Sequence, residues 1–132
     1  MRTRILLVFI AALVVAAASA SAHHSYTATY DTRNQVTLTG TLVQFVFKNP
    51  HSFVIVSAPD AKGTVQRWSL EWSGVGQLSN QGVKRETLKP GDEIVVVGNP
   101  SRVPGEYKAL LVNLKRPSDG FTWGGRQGEA VD

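Results

Sequence analysis

Trp68-Ser69-Leu70-Glu71-Trp72-Ser73-Gly74-Val75-Gly76-Gln77-Leu78-Ser79-Asn80-Gln81-Gly82-Val83 is the stretch in which the apolar period changes. Up to Trp72 the period is two. Trp68, Leu70 and Trp72 face one way, and Arg67, Ser69 and Glu71 the other, so Gln66–Trp72 reads as a half-buried strand. Beyond it, Val75 and Leu78 fall three apart. Ser73 is placed to cap a helix and Gly82 to end one, so Ser73–Val83 reads as a short helix. Where this helix sits among the strands decides the fold.

Two strands are expected before it. Val36–Phe47 is a long run rich in Val, Thr, Leu and Phe, in which Val36, Leu38 and Leu42 share one parity and Val43, Phe45 and Phe47 the other. The phase changes soon after Gly40, and a glycine inside a strand often marks a bulge or bend. A strand bent at its middle can serve both halves of a small barrel. Lys48-Asn49-Pro50 breaks the run. His51–Ala58 is the second strand, and Pro59-Asp60-Ala61-Lys62-Gly63 is a hairpin turn into the third. After the helix come a tight turn at Leu88–Asp92, strand four at Glu93–Gly98, a Pro- and Gly-containing loop, and strand five at Tyr107–Leu114.

The order strand, strand, strand, helix, strand, strand, with a long kinked first strand, is that of the OB-fold, a five-stranded partly open barrel. If the helix reading failed, another small barrel or sandwich would follow. The barrel domain is expected over residues 23–117. Residues 118–132 turn polar and glycine-rich and read as a loosely ordered tail, with Phe121 and Trp123 able to dock back. Ser25–Asn34 reads as an extended lead-in ending in a turn at Asp31–Asn34.

Residues 1–22 read as a secretory signal: Arg2 and Arg4, an apolar run from Ile5 to Val15, then Ala20-Ser21-Ala22 as a small-residue cleavage site. The run is shorter than the ~20 residues that span a bilayer. A periplasmic or secreted protein without stable membrane insertion is therefore expected. Removing the two arginines takes Lys+Arg from 14 to 12 against 10 Asp+Glu, so the formal charge falls from +4 to +2. No basic run remains, and no nucleic-acid partner is expected. The chain has no cysteine, which excludes disulfides, thiolate metal sites and a cysteine nucleophile.

The Ala22-His23-His24-Ser25-Tyr26 start, Val36-Thr37-Leu38-Thr39-Gly40-Thr41, Asn49-Pro50-His51 and Leu88-Lys89-Pro90-Gly91-Asp92 together resemble an uncharacterised family of exported bacterial proteins known only as a domain of unknown function. The resemblance implies export and a small β-domain, and carries no activity with it.

All three histidines, His23, His24 and His51, lie in two of these motifs. Cleavage after Ala22 makes His23 the mature N-terminus. Its amine and ring, with the ring of His51 opposite, form a three-nitrogen set suited to Cu(II), with Tyr26, Tyr30 or Glu71 as axial candidates. His24 is the alternative to His51. Cleavage after Ala20 instead puts His23 third, which binds Cu(II) or Ni(II) through the amine, two amides and the ring. Zinc is the runner-up metal, since three histidines and a water also suit it. The plainer reading makes the histidine pair a solvated tail and His51 a turn residue.

A metal-free OB-type binding module or envelope accessory protein is the alternative function. Such barrels bind ligands across strands two and three, where Trp68, Trp72 and Phe53 are the candidate ligand-binding aromatics. Alternating Trp-x-Leu-x-Trp on a barrel strand is more often a core face, so core residues are the favoured reading of Trp68 and Trp72. The sequence points away from catalysis: it has no Gly-x-Ser-x-Gly elbow, phosphate loop or dinucleotide fingerprint.

Overall fold

The computed structural model describes residues 26–124. Residues 1–25, with His23 and His24 among them, and the last eight residues lie outside them. Two short helices and six strands follow in order: α1 (Tyr26–Thr29), β1 (Val36–Val46), β2 (Phe53–Pro59), β3 (Val65–Glu71), α2 (Val75–Asn80), β4 (Glu93–Pro100), β5 (Lys108–Arg116) and β6 (Phe121–Gly124). The strands lie in the order β3-β2-β1-β4-β5-β6, and β3 also pairs with β5, which closes a barrel. All pairs are antiparallel except the closing one, where Ser69, Leu70 and Glu71 run parallel to Lys108, Ala109 and Leu110. Five strands of mixed direction, with a short helix between the third and fourth and one extra strand, make this an OB-fold-like barrel.

β1 does what its patterning demands. Its first half, Val36–Thr41, pairs with β4, and its second half, Thr41–Val46, pairs with β2. Leu38 and Leu42 point into the core at 5% and 1% exposure, and after the phase change Phe47 does so. The irregularity lies at Val43, between Leu42 and Gln44, and not at Gly40. Gly40 answers a different need. A Cβ there would sit 2.1 Å from the carbonyl oxygen of Ser57, so only glycine admits this approach of β1 to the end of β2.

Inside, Val54, Val56, Trp68, Leu70, Trp72, Ile94, Val96, Ala109 and Leu114 alternate inward from β2 to β5 and its neighbours. Leu78 of α2 and Val83 and Leu88 after it are equally buried and add to the same core. Each such aliphatic side chain removed from water contributes about 1.5–3 kcal/mol.

α2 is shorter than the Ser73–Val83 expectation, and its cap differs. Gly74, not Ser73, is the N-cap and offers no side-chain bond. The orphan N–H of Val75 donates instead to Asn49 Oδ1 at 2.9 Å, so the β1–β2 loop caps the helix. Gly82, at φ 81, ends the turn as expected.

Two departures lie at the ends. The lead-in contains one helical turn, α1, followed by a bridge between Tyr30 and Ser101. Phe121 and Trp123 dock back on the barrel, and they do so as part of a strand, Phe121–Gly124, paired to β5 within the segment expected to be a loose tail. Trp123 packs edge-on against Trp72 at 4.8 Å, and its indole N–H donates to Gln81 Oε1 at 2.7 Å. That burial and hydrogen bond hold the strand.

Candidate functional site

His51 lies in the β1–β2 loop, one residue before a buried anchor. Ser52 is 0% exposed. Its N–H donates to the Ser73 carbonyl, its carbonyl accepts from Trp72 N–H, and its hydroxyl and the Lys48 backbone bond each other. The loop is thereby fastened to the end of β3, and His51 is set beside Glu71, the last residue of that strand.

His51 Nδ1 is 2.6 Å from Glu71 Oε1. The other carboxylate oxygen, Oε2, accepts from the Tyr30 hydroxyl at 2.5 Å. On the far side of the ring, Tyr26 Oη lies 3.2 Å from His51 Nε2, with the two rings 5.8 Å apart. An ionised carboxylate only accepts, so Nδ1 carries the hydrogen; Nε2 accepts from the Tyr26 phenol when the imidazole is neutral and donates to it when the ring is protonated. Tyr26–His51–Glu71–Tyr30 form one hydrogen-bonded chain, with Nε2 on the side of the ring away from the carboxylate.

The environment is partly dry. The side chains of His51 and Glu71 are 30% and 14% exposed, and Tyr30 is 4% exposed. Burial, then the hydrogen bond to Glu71, pushes the Tyr30 hydroxyl well above its ordinary range. Burial and the Glu71 charge also raise Tyr26.

The segment that brings both tyrosines is clamped by the β4–β5 loop. Arg102 donates through its backbone N–H to the Thr29 carbonyl at 3.0 Å and through Nε to the Thr27 carbonyl at 2.6 Å. Asp31 N–H donates to the Pro100 carbonyl. Five residues around α1 therefore bridge the β1–β2 loop, the end of β3 and the β4–β5 loop.

The three residues proposed as axial ligands, Tyr26, Tyr30 and Glu71, are all gathered around His51. His23 and His24 lie outside the described residues. Among the described residues, no group of three or more His, Cys, Asp or Glu side chains is close enough to hold an ion.

The three aromatic candidates do not share one surface. Trp72 is 2% exposed and lies between Phe45 and Trp123, so its ring serves the core. Phe53 is half-buried, with the Lys48 ammonium 5.5 Å from its centroid. Trp68 is 7% exposed and edge-packed on Tyr107 at 5.2 Å.

Trp68 also reaches two open clefts. The larger, of about 420 Å³, lies between the β2–β3 turn and the β4–β5 loop, with Tyr107, Pro104, Val103 and Asp60 among its walls. The smaller, of about 270 Å³, lies on the β1 side of the same turn. Among the described residues, the indole N–H of Trp68 has no hydrogen-bond partner. Tyr107, a lone aromatic opening a strand, and Asp60, a turn aspartate, carry no local sequence signal of a shared cleft.

A family model matches residues 11–109. The chain belongs to DUF6152, a family of unknown function. No curated protein and no solved structure matches it. The span shared with DUF6152 includes Tyr26, Tyr30, His51 and Glu71 and ends as β5 begins. Among the described residues of this DUF6152 chain, no helix is long and apolar enough to cross a membrane.

Proposed function

We propose that this chain is an exported, non-enzymatic binding module of the bacterial envelope. Its small-molecule ligand sits in the cleft between the β2–β3 turn and the β4–β5 loop. The cleft itself is the observation that carries this reading. Its volume, about 420 Å³, lies in the range of small-ligand sites. Tyr107, Pro104 and Val103 supply apolar wall beside Trp68, and Glu106 supplies an acceptor; the Asp60 oxygens are taken by Lys62, Thr64, Gln66 and Tyr107. Export is supported by the basic start, the short apolar run and the Ala20-Ser21-Ala22 site.

A library of soluble aromatic and sugar fragments, screened by amide and indole chemical shifts, tests it. Binders are expected to shift Asp60, Lys62, the Trp68 indole and Ser101–Tyr107. Tyr107→Ala is expected to remove the response. Fragments that bind only elsewhere would sink the cleft as the site.

A second reading has its own support in the His51–Glu71 pair. A metal-bound histidine characteristically donates its other ring N–H to a carboxylate. Here Glu71 takes Nδ1–H and leaves Nε2 as the donor atom. In this reading Cu(II), or Zn(II) as the runner-up, is held by Nε2 and by the amine and ring of His23 at the mature N-terminus. His23 stands three residues before Tyr26, a span of at most about 11 Å of chain, which bounds how far the start of the mature protein can lie from the ion. Such an ion stabilises the fold by linkage. The protein matured by export, its N-terminus confirmed by intact mass, is titrated with Cu(II) and followed by EPR and melting temperature. A one-to-one tetragonal nitrogen signal is expected, weakened by His51→Ala and by extra residues before His23. Indifference to both changes would remove this reading.

A further inference from the structure

We infer that the cleft between the β2–β3 turn and the β4–β5 loop takes a short extended peptide with acidic side chains, which adds as a strand to the free edge of β3. The inference rests on the cleft as the binding place and names the class of its ligand. The barrel closes over only three residue pairs, Ser69–Glu71 beside Lys108–Leu110. Ahead of them the two sides part. The first half of β3 keeps β2 as its ladder partner, from Val65 opposite Pro59 to Trp68 opposite Val56. The chain ahead of Lys108 is the β4–β5 loop, and the cleft of about 420 Å³ lies between that loop and the turn that starts β3.

The hydrogen-bond phase of β3 shows which backbone groups an occupant meets. The Thr64 carbonyl accepts from the Asp60 N–H, toward β2, and the Ser69 N–H donates to the Tyr107 carbonyl, away from β2. These directions alternate along a strand. Val65 and Arg67 share the parity of Ser69, so their N–H and C=O groups point out of the ladder. Among the described residues, these four groups have no backbone partner. Two donors and two acceptors at a two-residue spacing are the complement of an extended backbone, the arrangement by which a free strand edge captures a peptide.

The side chains select the occupant. Val65 and Val103, 65% and 55% exposed, stand on opposite sides of the opening, and Tyr107, Pro104 and Trp68 line the cleft. Peptide side chains that turn inward are therefore apolar, and they alternate with those that turn outward. The outward ones lie beside Arg67, with Lys62 in the adjoining turn. Both cations are exposed, and among the described residues neither has an acidic partner, so acidic side chains complement them. The same charge opposes a second copy of this chain. Two β3 edges paired about a two-fold axis would set their Arg67 side chains opposite or diagonal to each other.

The test uses the matured protein and a capped hexapeptide of alternating valine and glutamate, read by amide hydrogen exchange and chemical shifts. The peptide is expected to protect the Val65 and Arg67 amides and to shift the Trp68 indole. Two further forms are N-methylated at alternate residues, one in each phase. An edge pairs with one side of a strand, so one form is expected to lose about tenfold in affinity and the other to keep it. Arg67→Gln keeps the edge N–H and is expected to weaken binding about threefold. Arg67→Pro, with its fold checked by circular dichroism, removes that N–H without touching a bond to β2 and is expected to abolish binding. Equal affinity of the two methylated forms, or no peptide binding where aromatic fragments still shift Trp68 and Tyr107, overturns strand addition and leaves the cleft reading standing. Protection of Val65 and Arg67 in the protein alone as its concentration rises puts a second copy on the edge and overturns the peptide. Failure of peptide and fragments alike overturns both readings.

Discussion

The side-chain oxygen of Asn49 caps the backbone of Val75, 26 residues away, at 2.9 Å. One hydrogen bond thus ties the loop carrying His51 to the helix at the barrel end. Asn49→Ala is expected to cost about 1 kcal/mol, the usual worth of a helix N-cap. Urea unfolding checks this. An unchanged midpoint would mean that water replaces the cap without loss.

Gly40 lies where β1 passes the end of β2. Its missing Cβ would stand 2.1 Å from a backbone oxygen, which has no rotamer to retreat into. Gly40→Ala is expected to destabilise by about 3 kcal/mol, the upper end of overpacking costs. Gly76→Ala, where the added methyl meets nothing within 4 Å, is the control and should not destabilise.

Stability should fall at high pH through Tyr30. Burial and the bond to Glu71 raise its folded-state pKa above the ordinary tyrosine value of about 10. A raised folded pKa contributes stability that is complete below the unfolded value and is lost as pH rises through the folded one. Tyr30→Phe should lower stability near neutrality by about 1–2 kcal/mol, because it removes a hydrogen bond to a charged group. It should also shrink the further loss between pH 8 and about pH 11. Denaturation curves at the two pH values decide, and parallel losses in both proteins would contradict the assignment.

At low pH the relevant cluster is Arg116 with Asp92 and Asp119, at 2.6 and 2.8 Å. Burial alone would raise Asp92, but the Lys89 amide and the Arg116 guanidinium hold its carboxyl below the usual range. Arg116 does the same for Asp119. Depressed carboxyls contribute stability above about pH 4 that is lost as pH falls through their folded values. Arg116→Gln should therefore be less stable at pH 7, and should lose less between pH 7 and pH 3. An acid limb as steep as the wild type's would place the acid sensitivity elsewhere.

The barrel was readable because its signals are local. The alternation of Trp68, Leu70 and Trp72, the three-residue step from Val75 to Leu78, and Gly82 each act through neighbours in sequence. β6 was not readable as a strand, since Trp123 acquires its partners, Trp72 and Gln81, only across the fold. The same holds for α1: four residues have no helical stability of their own, and Arg102 from the β4–β5 loop holds the turn. The bulge was expected near Gly40 because glycine marks bends, yet that glycine serves the approach of Ser57 and the extra residue is Val43. At the site, His51, Tyr26, Tyr30 and Glu71 all stood out by chemistry. Which of them faces Nδ1 and which faces Nε2 depends on how Ser52 anchors its loop, and no spacing encodes that.

Thr41 is the one residue of β1 that belongs to both ladders, opposite Ser57 in one and Glu93 in the other. This makes the strand's tolerance of length changes lopsided. One residue inserted before Thr41 would turn Val36–Gly40 over against β4 while leaving the pairing with β2 in register; one inserted after it would do the reverse. Only beside Val43, where the ladder already holds a surplus residue, can the strand lose a residue without exchanging its inside for its outside. Homologous chains should therefore vary in length at that point of β1 and hold their length on either side of it.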